Sequence, residues 1–596
     1  MPDTDAAARM RAAAWTVSPN RRRARGAGLA VWLVAAGPIL ANGAALAQAP
    51  PLPNSVGPGS LPSVRAAAAA ERIVGQGESL SASPGGPVAQ SDIRLGGFGF
   101  PLASPLSGTG PSPGIGEVRR PFSITPSLGV QLLGTDNLFQ TSTNRRADLV
   151  TTISPGVLLT ADTARLQGVL NYAPNVLVYA RTGEQNRFDQ LGTGQALATL
   201  IPGLLYLDLR GASAVQSITG GIAPESGLVT QRNNRVSTIA AQVSPYLLYE
   251  FGTLATLQAG YSFHFADQTG TASQLGTTGL VAGRPAFTSQ NFTAHEGYGI
   301  LRSGPDFRRL AWEARLDSTS YIGNGVLDGA FRRQASIEGR YAIVRGIWAL
   351  AEVGYEQQRY GGTPGLRIDG PVWALGGRLD SPDGGRIIAK YGRRDGFESA
   401  NLDASIPIGG RTRLAASYSE RLTTSAQRAV DLLTSSSIDA QGNPIDLATG
   451  QPTVRSFASS FLGAQGNLLR VRSATASVVQ TWPRDIIVLS IIQEQRSPVS
   501  VGFGSAGFSQ RGISGSVTWA HALSERSNVT AFVQYGQFNT AVLGQGELVS
   551  GSLTLSRQLA PRVVGALQIA SSSRTSGNAA GRATQNIALV SLRQIF

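Results

Sequence analysis

Apolar and polar residues alternate along most of the chain after Phe122. Leu310, Trp312, Ala314 and Leu316, for example, are separated by charged or small residues. Successive side chains of a β-strand point to opposite faces, so a period of two predicts strands with one apolar face and one largely polar face. No stretch of this region has a convincing helical period. The pattern therefore predicts an all-β domain over residues 121–596.

Connections of two kinds separate the predicted strands. Tight-turn signals rich in Gly, Pro, Asp and Ser lie at 161–164, 202–203, 251–252, 304–306, 345–346, 382–385, 407–410, 483–485, 524–526 and 560–561. Longer polar loops lie at 135–147, 216–234, 266–290, 359–370, 424–466, 497–510 and 571–584. Short turns on one side and long loops on the other are typical of transmembrane barrels, whereas a soluble sandwich has short loops on both sides.

The turns also predict the number of strands. Ten short turns make ten hairpins, and a first strand near 123–132 and a last strand at 586–596 bring the total to about 22, within a range of 20–24. We predict a transmembrane antiparallel up-and-down β-barrel whose first and last strands pair. Trp348, Trp373, Trp482 and Trp519 lie near predicted turns or loops, where aromatic girdles at the membrane interfaces are expected.

Composition agrees with a barrel in lipid. Only 15% of the 596 residues are charged, against about 25% in soluble proteins. The chain contains no Cys, which excludes disulfides and cysteine metal sites, and its 42% hydrophobic content excludes a wholly disordered chain. The formal net charge of +14 is spread over the chain without a basic patch, so we expect no nucleic-acid partner.

Residues 1–47 have the layout of a secretory signal peptide. A basic cluster that begins at Arg21 precedes an apolar run from Leu29 to Leu40, and Ala45 and Ala47 form a small-x-small cleavage motif. A transmembrane anchor is the alternative, but Gly37 and Pro38 break a run that is already short of the ~20 residues needed to span. We expect cleavage after Ala47 and export to the periplasm.

Residues 48–120 are rich in Pro, Gly, Ala and Ser, without a persistent period. Such a composition buries too little apolar surface to offset the backbone entropy of folding. We predict a disordered periplasmic arm. A globular plug is the alternative interpretation.

Charged residues recur on one face of the central strands. In the predicted register they point into the lumen, where charges set selectivity or form cross-strand ion pairs that stiffen the wall. Arg333 has the opposite parity, so we expect it on the lipid face near the outer interface, within reach of lipid phosphates. The predicted lumenal charges are Arg309, Glu313, Arg315, Asp317, Arg332, Glu338, Arg340, Glu352, Arg386 and Lys390.

The last strand ends in Phe596, preceded at steps of two by Gln594, Leu592, Val590 and Ala588. This is similar to the C-terminal strand by which outer-membrane barrels are recognised for insertion, and it implies the barrel-assembly machinery as a partner. Gln594 departs from the aromatic or apolar residue usual at its position.

Residues 125–174 resemble the start of the outer-membrane β-barrel porins associated with exopolysaccharide and exosortase (PEP-CTERM) loci. Thr135-Asp136-Asn137-Leu138-Phe139 and Ile153-Ser154-Pro155-Gly156 carry the likeness. After about residue 216, only the alternating barrel pattern supports the resemblance. The resemblance implies an outer-membrane barrel, with polysaccharide secretion as its expected role and no catalytic residues.

The residues themselves give little sign of chemistry. His264, His295 and His521 lack metal-ligand spacing, and no nucleophile and base stand in a recognisable motif, although a Ser–His–Asn site assembled in space is not visible to sequence. We expect no enzyme activity, cofactor or metal.

The leading hypothesis is an outer-membrane pore or export conduit for an anionic or neutral polysaccharide, in contact with outer-membrane lipid and lipopolysaccharide. A non-transporting barrel that uses its loops as a partner of a secretion assembly is the alternative, and a barrel enzyme is the third. About 22 strands enclose a wide bore. We expect the loop at 424–466 to fold inward and narrow it, with the N-terminal arm as the alternative. Asp431, Asp439 and Asp446 suggest that the loop lies against a basic wall.

Overall fold

The computed structural model describes residues 121–596 apart from 225, 227–230, 271–279, 282–283, 286, 308, 439–443, 447–460, 541–542 and 578–580. The predicted signal peptide and N-terminal arm therefore lie outside the described residues.

The described chain forms one closed antiparallel barrel of 22 strands, as predicted. Its sheet contains 24 segments, and two strands are each divided into two, which gives 24 − 2 = 22. The first eleven strands are β1 Phe122–Thr135, β2 Asp148–Asp162, β3 Leu166–Tyr172 continued by Asn175–Tyr179, β4 Arg187–Asp189 continued by Gly192–Ile201, β5 Leu205–Ser217, β6 Arg235–Phe251, β7 Ala255–Gly270, β8 Gln290–Ser303, β9 Leu310–Gly323, β10 Phe331–Val344 and β11 Ile347–Tyr360. The others are β12 Leu366–Asp380, β13 Arg386–Arg394, β14 Phe397–Ile408, β15 Thr412–Thr423, β16 Leu468–Thr481, β17 Asp485–Ser500, β18 Gln510–Ser524, β19 Ser527–Thr540, β20 Gly544–Ala560, β21 Val563–Thr575 and β22 Arg582–Ile595.

Strands β1 and β22 pair and close the sheet, as predicted. Their register runs from Ser127 opposite Ile595 to Thr135 opposite Ile587. The backbone N–H of Phe596 also donates to the carbonyl of Pro126 at 3.0 Å. Closure joins the first and last strands of the described sheet, so these strands do not present free edges to the membrane, as a barrel in lipid requires.

Ten short turns lie where the sequence signals them, at one end of the barrel. Gly203, Gly252, Gly346 and Gly409 have positive φ there, a conformation that glycine adopts without strain.

The loops at the other end of the barrel differ in part from the prediction. Four of its connections are short and were not predicted as loops, at 180–186, 324–330, 395–396 and 541–543. They lack the long polar runs by which the other loops were recognised.

The two faces of the wall have opposite character. Leu316, Ile337 and Val353 are 62%, 48% and 60% exposed on the outer face. Glu313, Glu338 and Glu352 alternate with them on the inner face and are buried. An apolar outside and a polar inside are the reverse of a soluble sandwich and match a membrane barrel.

The tryptophans follow the predicted girdles with one exception. Trp519 and Trp482 are partly exposed near the short-turn end, and Trp373 shares the outer face of β12 with the exposed Leu375. Trp348 instead alternates with Ile347 and lies on the inner parity of β11. Proximity to a turn does not fix the face of a strand residue, because the side alternates at every step.

Among the described residues, one α-helix, α1 (Ser425–Ser435), interrupts the all-β pattern, although no helix was predicted within residues 121–596. Thr424 and Gln427 form a capping box at its start: the Gln427 N–H donates to Thr424 Oγ1 at 3.1 Å, and the Thr424 N–H donates to Gln427 Oε1 at 2.9 Å. Among the described residues, no helix is long and apolar enough to cross a membrane. The remaining short elements are 3₁₀ turns at Gly183–Gln185, Arg232–Asn234 and Gly325–Leu327 and strand pairs Leu280–Val281 with Arg284–Pro285 and Ser436–Ile438 with Pro444–Asp446.

Helix α1 lies inside the barrel. It follows β15 in the chain but contacts the inner faces of β5, β6, β7 and β8. Its apolar residues share one cluster with small buried residues of those strands, which leave room for the helix. The helix contributes Ala426, Ala429, Val430 and Leu433 to this cluster, and the wall contributes Ala212, Ala240, Ala266, Phe292 and Ala294.

Candidate functional site

Glu313 is the centre of an ion-pair network on the inner wall. Its carboxylate accepts from Arg302 Nε of β8 at 3.2 Å, from Arg340 Nη2 of β10 at 3.0 Å, and from Arg315 on its own strand. Arg340 also donates to Glu338 at 2.7 Å. Glu313 is buried and has three arginine partners, so its negative charge is compensated within the wall.

Lys390 extends the network across two strands, β12 and β11. It lies on β13, yet its ammonium pairs with Glu338 of β10 and lies 4.0 Å from Glu352 of β11. Gly376 of β12 is the register partner of Lys390 and has no side chain to block this route. A Cβ on Gly376 would overlap the carbonyl oxygen of Ala389 and lie 2.9 Å from Lys390 Cα.

Arg394 completes the network by donating to Glu352 at 2.6 Å. The connected side chains lie on strands β8 to β13, with β12 bridged rather than contributing. Five bases and three acids give a formal net charge of +2. They are Arg302, Arg315, Arg340, Lys390, Arg394, Glu313, Glu338 and Glu352.

The other predicted lumenal charges lie apart from this network. Arg309 is exposed in the turn before β9, because the strand begins one residue later than its alternation suggests. Asp317 is buried on the inner face and forms no ion pair within 4.0 Å with a described residue. Arg332 donates to Gln334 at 3.4 Å. Arg386 pairs with Asp380 at 3.2 Å near the short turns.

Helix α1 is fixed to the wall by a second charged cluster. Arg428 donates to both carboxylate oxygens of Glu494 on β17, and its Nη2 lies 2.8 Å from Oε2. Arg496 of β17 donates to the same carboxylate at 2.6 Å. Burial alone would lower the pKa of Arg428, but the charge of Glu494 holds this pKa above its ordinary value. The helix therefore docks on an acidic group of β17, while Asp431 pairs with Arg421 of β15 at 2.8 Å, the contact with a basic wall residue that was expected of this acid.

Polar contacts fix the helix on the opposite wall as well. Gln268 of β7 donates to Ser425 Oγ at 3.3 Å, and Arg210 of β5 donates to the carbonyl of Leu433 at 2.8 Å. Together with Glu494 of β17, these contacts attach both sides of the barrel to one helix. The inward folding expected of the loop at 424–466 is thus seen for its helical part.

The end of the same loop returns along the inner wall. The Gly221 N–H donates to the carbonyl of Phe461 at 2.9 Å, and the Ala464 N–H donates to the carbonyl of Ser217 at 3.1 Å. Arg496 donates to the carbonyl of Gly463 at 2.7 Å. This segment joins the loop to the end of β5 and to β17, so the helix at the start of the loop and the segment at its end are both held inside the barrel.

Several residues of these clusters were not predicted. Arg302 follows the buried Tyr298 and Ile300 at steps of two on the same inner face, a signal that a longer predicted β8 would have included. Thr424 and Gln427 form a capping box that is legible in the sequence, and α1 follows it with a helical apolar period. Glu494 carries no comparable signal, because its partner Arg428 is distant in the chain.

Two of the three histidines pair with carboxylates across strands, and His295 hydrogen-bonds to the Tyr261 hydroxyl. His264 Nε2 lies 2.7 Å from Glu296 Oε2 on the inner face, and His521 Nδ1 lies 2.8 Å from Asp485 Oδ1 near the short turns. The hydroxyls of Ser244 and Ser262 hydrogen-bond to each other at 2.7 Å. Within the described part of the chain, no group of three or more His, Asp or Glu could hold a metal ion.

No family model and no curated protein matches this chain. Solved structures of barrels match it weakly. The open form of the ferric-catecholate import receptor Fiu from E. coli K12 aligns with a TM-score of 0.43 and 7% identity over 80% of this chain and 82% of that chain. BauA, the ferric preacinetobactin receptor from Acinetobacter baumannii, aligns with a TM-score of 0.43 and 9% identity over 80% of both chains.

OccK2 (OpdF) from Pseudomonas aeruginosa aligns with a TM-score of 0.31 and 8% identity over 80% of this chain and 98% of that chain. All three TM-scores are below 0.5. The barrel fold of this chain is therefore established by its own strand pairing and not by these similarities.

Proposed function

We propose that this chain is an outer-membrane pore or export conduit whose lumen is narrowed by helix α1. The barrel is closed, its outer face is apolar, and its inner face carries buried ion pairs. These features suit a structure with lipid outside and a polar passage inside. A cleaved signal peptide over residues 1–47 and insertion by the barrel-assembly machinery complete the proposed route to the membrane.

The position of α1 across the lumen is the observation that supports a regulated passage. A segment whose only task were to extend a surface loop would not need contacts of Arg428 with Glu494 on one wall and of Ser425 with Gln268 on the other. Contacts to opposite walls make α1 a constriction whose position depends on a few side chains.

The wall chemistry supports an anionic or neutral polymer as cargo. The large ion-pair network has a formal net charge of +2, and buried amides such as Gln242 and Gln258 share the inner face. Amides and arginines offer hydrogen bonds to sugar hydroxyls and carboxylates without a strong fixed field. We propose exopolysaccharide as the cargo class.

The alternative is a non-transporting barrel that serves a secretion assembly through its loops. The attachment of α1 to both walls would then be permanent and the lumen closed. No described cluster combines a nucleophile with an activated base, and neither hypothesis assigns a catalytic role to the chain.

Planar-bilayer recordings separate these hypotheses. The mature full chain should give discrete conductance steps, and deletion of residues 426–464 should increase the conductance and the leakage of antibiotics into cells. A parallel deletion of residues 48–120 tests the N-terminal arm as the constriction. A silent barrel in both deletions, still assembled in the outer membrane by gradient fractionation, would refute the pore.

A further inference from the structure

Three arginines cluster on the lipid-facing side of the barrel at the loop end of β10, β11 and β12. Arg359 and Arg367 are direct cross-strand partners, and Arg333 lies one step diagonally from Arg359, opposite Gln357. All three are exposed, and the Arg367 side chain retains 81% of its accessible surface. Like charges directly opposite each other on adjacent strands repel, so an anion that contacts both guanidinium groups would relieve this repulsion.

The protein supplies little of that compensation. Asp369 is the acid within the patch, and its carboxylate accepts from Tyr355 Oη at 2.5 Å and from Gln357 at 3.4 Å. Arg367 lies 3.6 Å from Asp369 at an exposed position. Arg333 stacks over the Phe331 ring at 5.0 Å. Three bases and one acid leave a local excess of positive charge.

The position of the patch identifies the surroundings that it meets. Along the outer face of β11 the residues run from Arg359 through Gln357 and Tyr355 to Val353, which is 60% exposed. The side chains along this face change from charged to amide, then to tyrosine and then to aliphatic. This decrease in polarity is typical of the membrane interface. The arginines therefore stand at the depth of lipid headgroups, continuous with the apolar band.

A second hairpin of the same barrel provides an internal comparison. On β19 and β20, Gln537 is opposite Glu547, as Gln357 is opposite Asp369. A tyrosine stands two residues below the glutamine in both hairpins. At the next outward pair, however, the second hairpin has Asn539 opposite Gln545 where the first has Arg359 opposite Arg367. The arginine pair is thus not a requirement of the hairpin.

We propose that Arg333, Arg359 and Arg367 bind the phosphate groups of an outer-leaflet glycolipid whose sugar headgroup carries two phosphate monoesters. A guanidinium donates paired hydrogen bonds to phosphate oxygens, and three of them on adjacent strands match two neighbouring phosphates. This site rests on the proposed membrane location, with the loop end in the outer leaflet.

The test measures lipid bound to the purified full chain by native mass spectrometry. Bisphosphorylated lipid A is titrated into the detergent-solubilised protein, with dephosphorylated lipid A as the matched ligand. The double variant Arg359→Asn, Arg367→Gln copies the second hairpin and should bind the bisphosphorylated lipid about tenfold more weakly. The reverse variant Asn539→Arg, Gln545→Arg should add a second bound lipid.

Several results would overturn the proposal. They are equal binding by parent and double variant, equal binding of the dephosphorylated lipid, or full displacement by inorganic phosphate at millimolar concentration. The temperature at which each variant loses its compact form in SDS gels checks that the barrel is assembled. Conductance is recorded on the same preparations, so failure of the lipid site and failure of the pore are separate outcomes.

Discussion

Arg428 of the lumenal helix forms a bidentate ion pair with Glu494 of strand β17. Both Nη atoms of the guanidinium donate to the carboxylate, and Nη2 lies 2.8 Å from Oε2. The two residues are 66 residues apart in the chain. Glu494 also accepts from Arg496, which donates to the carbonyl of Gly463 at the return of the same loop. Glu494 thus contacts the helix directly and the returning segment through Arg496, and we expect its charge to decide how firmly the helix stays in the lumen.

Replacing Arg428 with Gln should loosen the helix without unfolding the barrel. Loss of one charged hydrogen-bond pair costs about 2 kcal/mol, which is enough to populate a displaced helix. We expect more frequent high-conductance events in planar bilayers. Arg421→Gln is the comparison variant, because the pair of Arg421 with Asp431 also joins the helix to the wall but is more exposed, so its loss should change gating less. Exchange of the two charges in Arg428→Glu, Glu494→Arg should restore part of the parental behaviour; unchanged gating in Arg428→Gln would contradict a role for this pair.

The two neighbouring glycines of β12 should respond differently to alanine. A Cβ on Gly376 would collide with the wall beneath Lys390, whereas the nearest atom to a Cβ on Gly377 is the Trp348 carbonyl oxygen at 3.7 Å. We expect Gly376→Ala to destabilise the barrel by about 1–3 kcal/mol through overpacking and Gly377→Ala to change it little. The unfolding temperature of the heat-modifiable band in SDS gels measures both. Equal temperatures for the two variants would contradict the route assigned to Lys390.

The charge of the large network should set a weak anion preference. Five bases against three acids leave +2 on one part of the wall, and rings of fixed charge bias ion passage. Arg394→Gln together with Lys390→Gln removes both positive charges of the excess. The reversal potential across a KCl gradient should then move toward cation preference. No shift would show that ions do not pass this wall, and a shift of opposite sign would contradict the net positive charge assigned to the network.

Phe596→Asp should lower the amount of assembled barrel in the outer membrane while export across the inner membrane continues. Phe596 is 60% exposed where β1 and β22 pair. A charge at this position would disturb the pairing of the closing strand and remove the terminal aromatic residue of the proposed insertion signal. Phe503→Asp is the control, since Phe503 is fully exposed in the loop at 501–509. Quantitative blotting of membrane fractions gives the result, and parental levels of the Phe596 variant would argue against the signal.

The local alternation of apolar and polar residues was enough to predict the barrel. The side chains of a strand alternate at every residue, so the sequence of β9 to β11 already separates a charged face from an apolar face. Turn residues mark the ten hairpins, and an even number of strands follows from counting them. The helix was legible too, through Thr424, Gln427 and the apolar period after them, but a strand-rich context concealed it.

The sequence by itself determined the class of fold, the face of most strand residues and the closing pair β1 and β22, because these depend on a period of two and on local turn chemistry. Only the tertiary structure decided which charges meet. Lys390 reaches Glu338 because β12 presents a glycine at the crossing point. Arg428 meets Glu494 because the loop turns inward instead of outward. Such pairings arise from barrel closure, which brings distant segments to one wall and leaves no trace in the local spacing of residues.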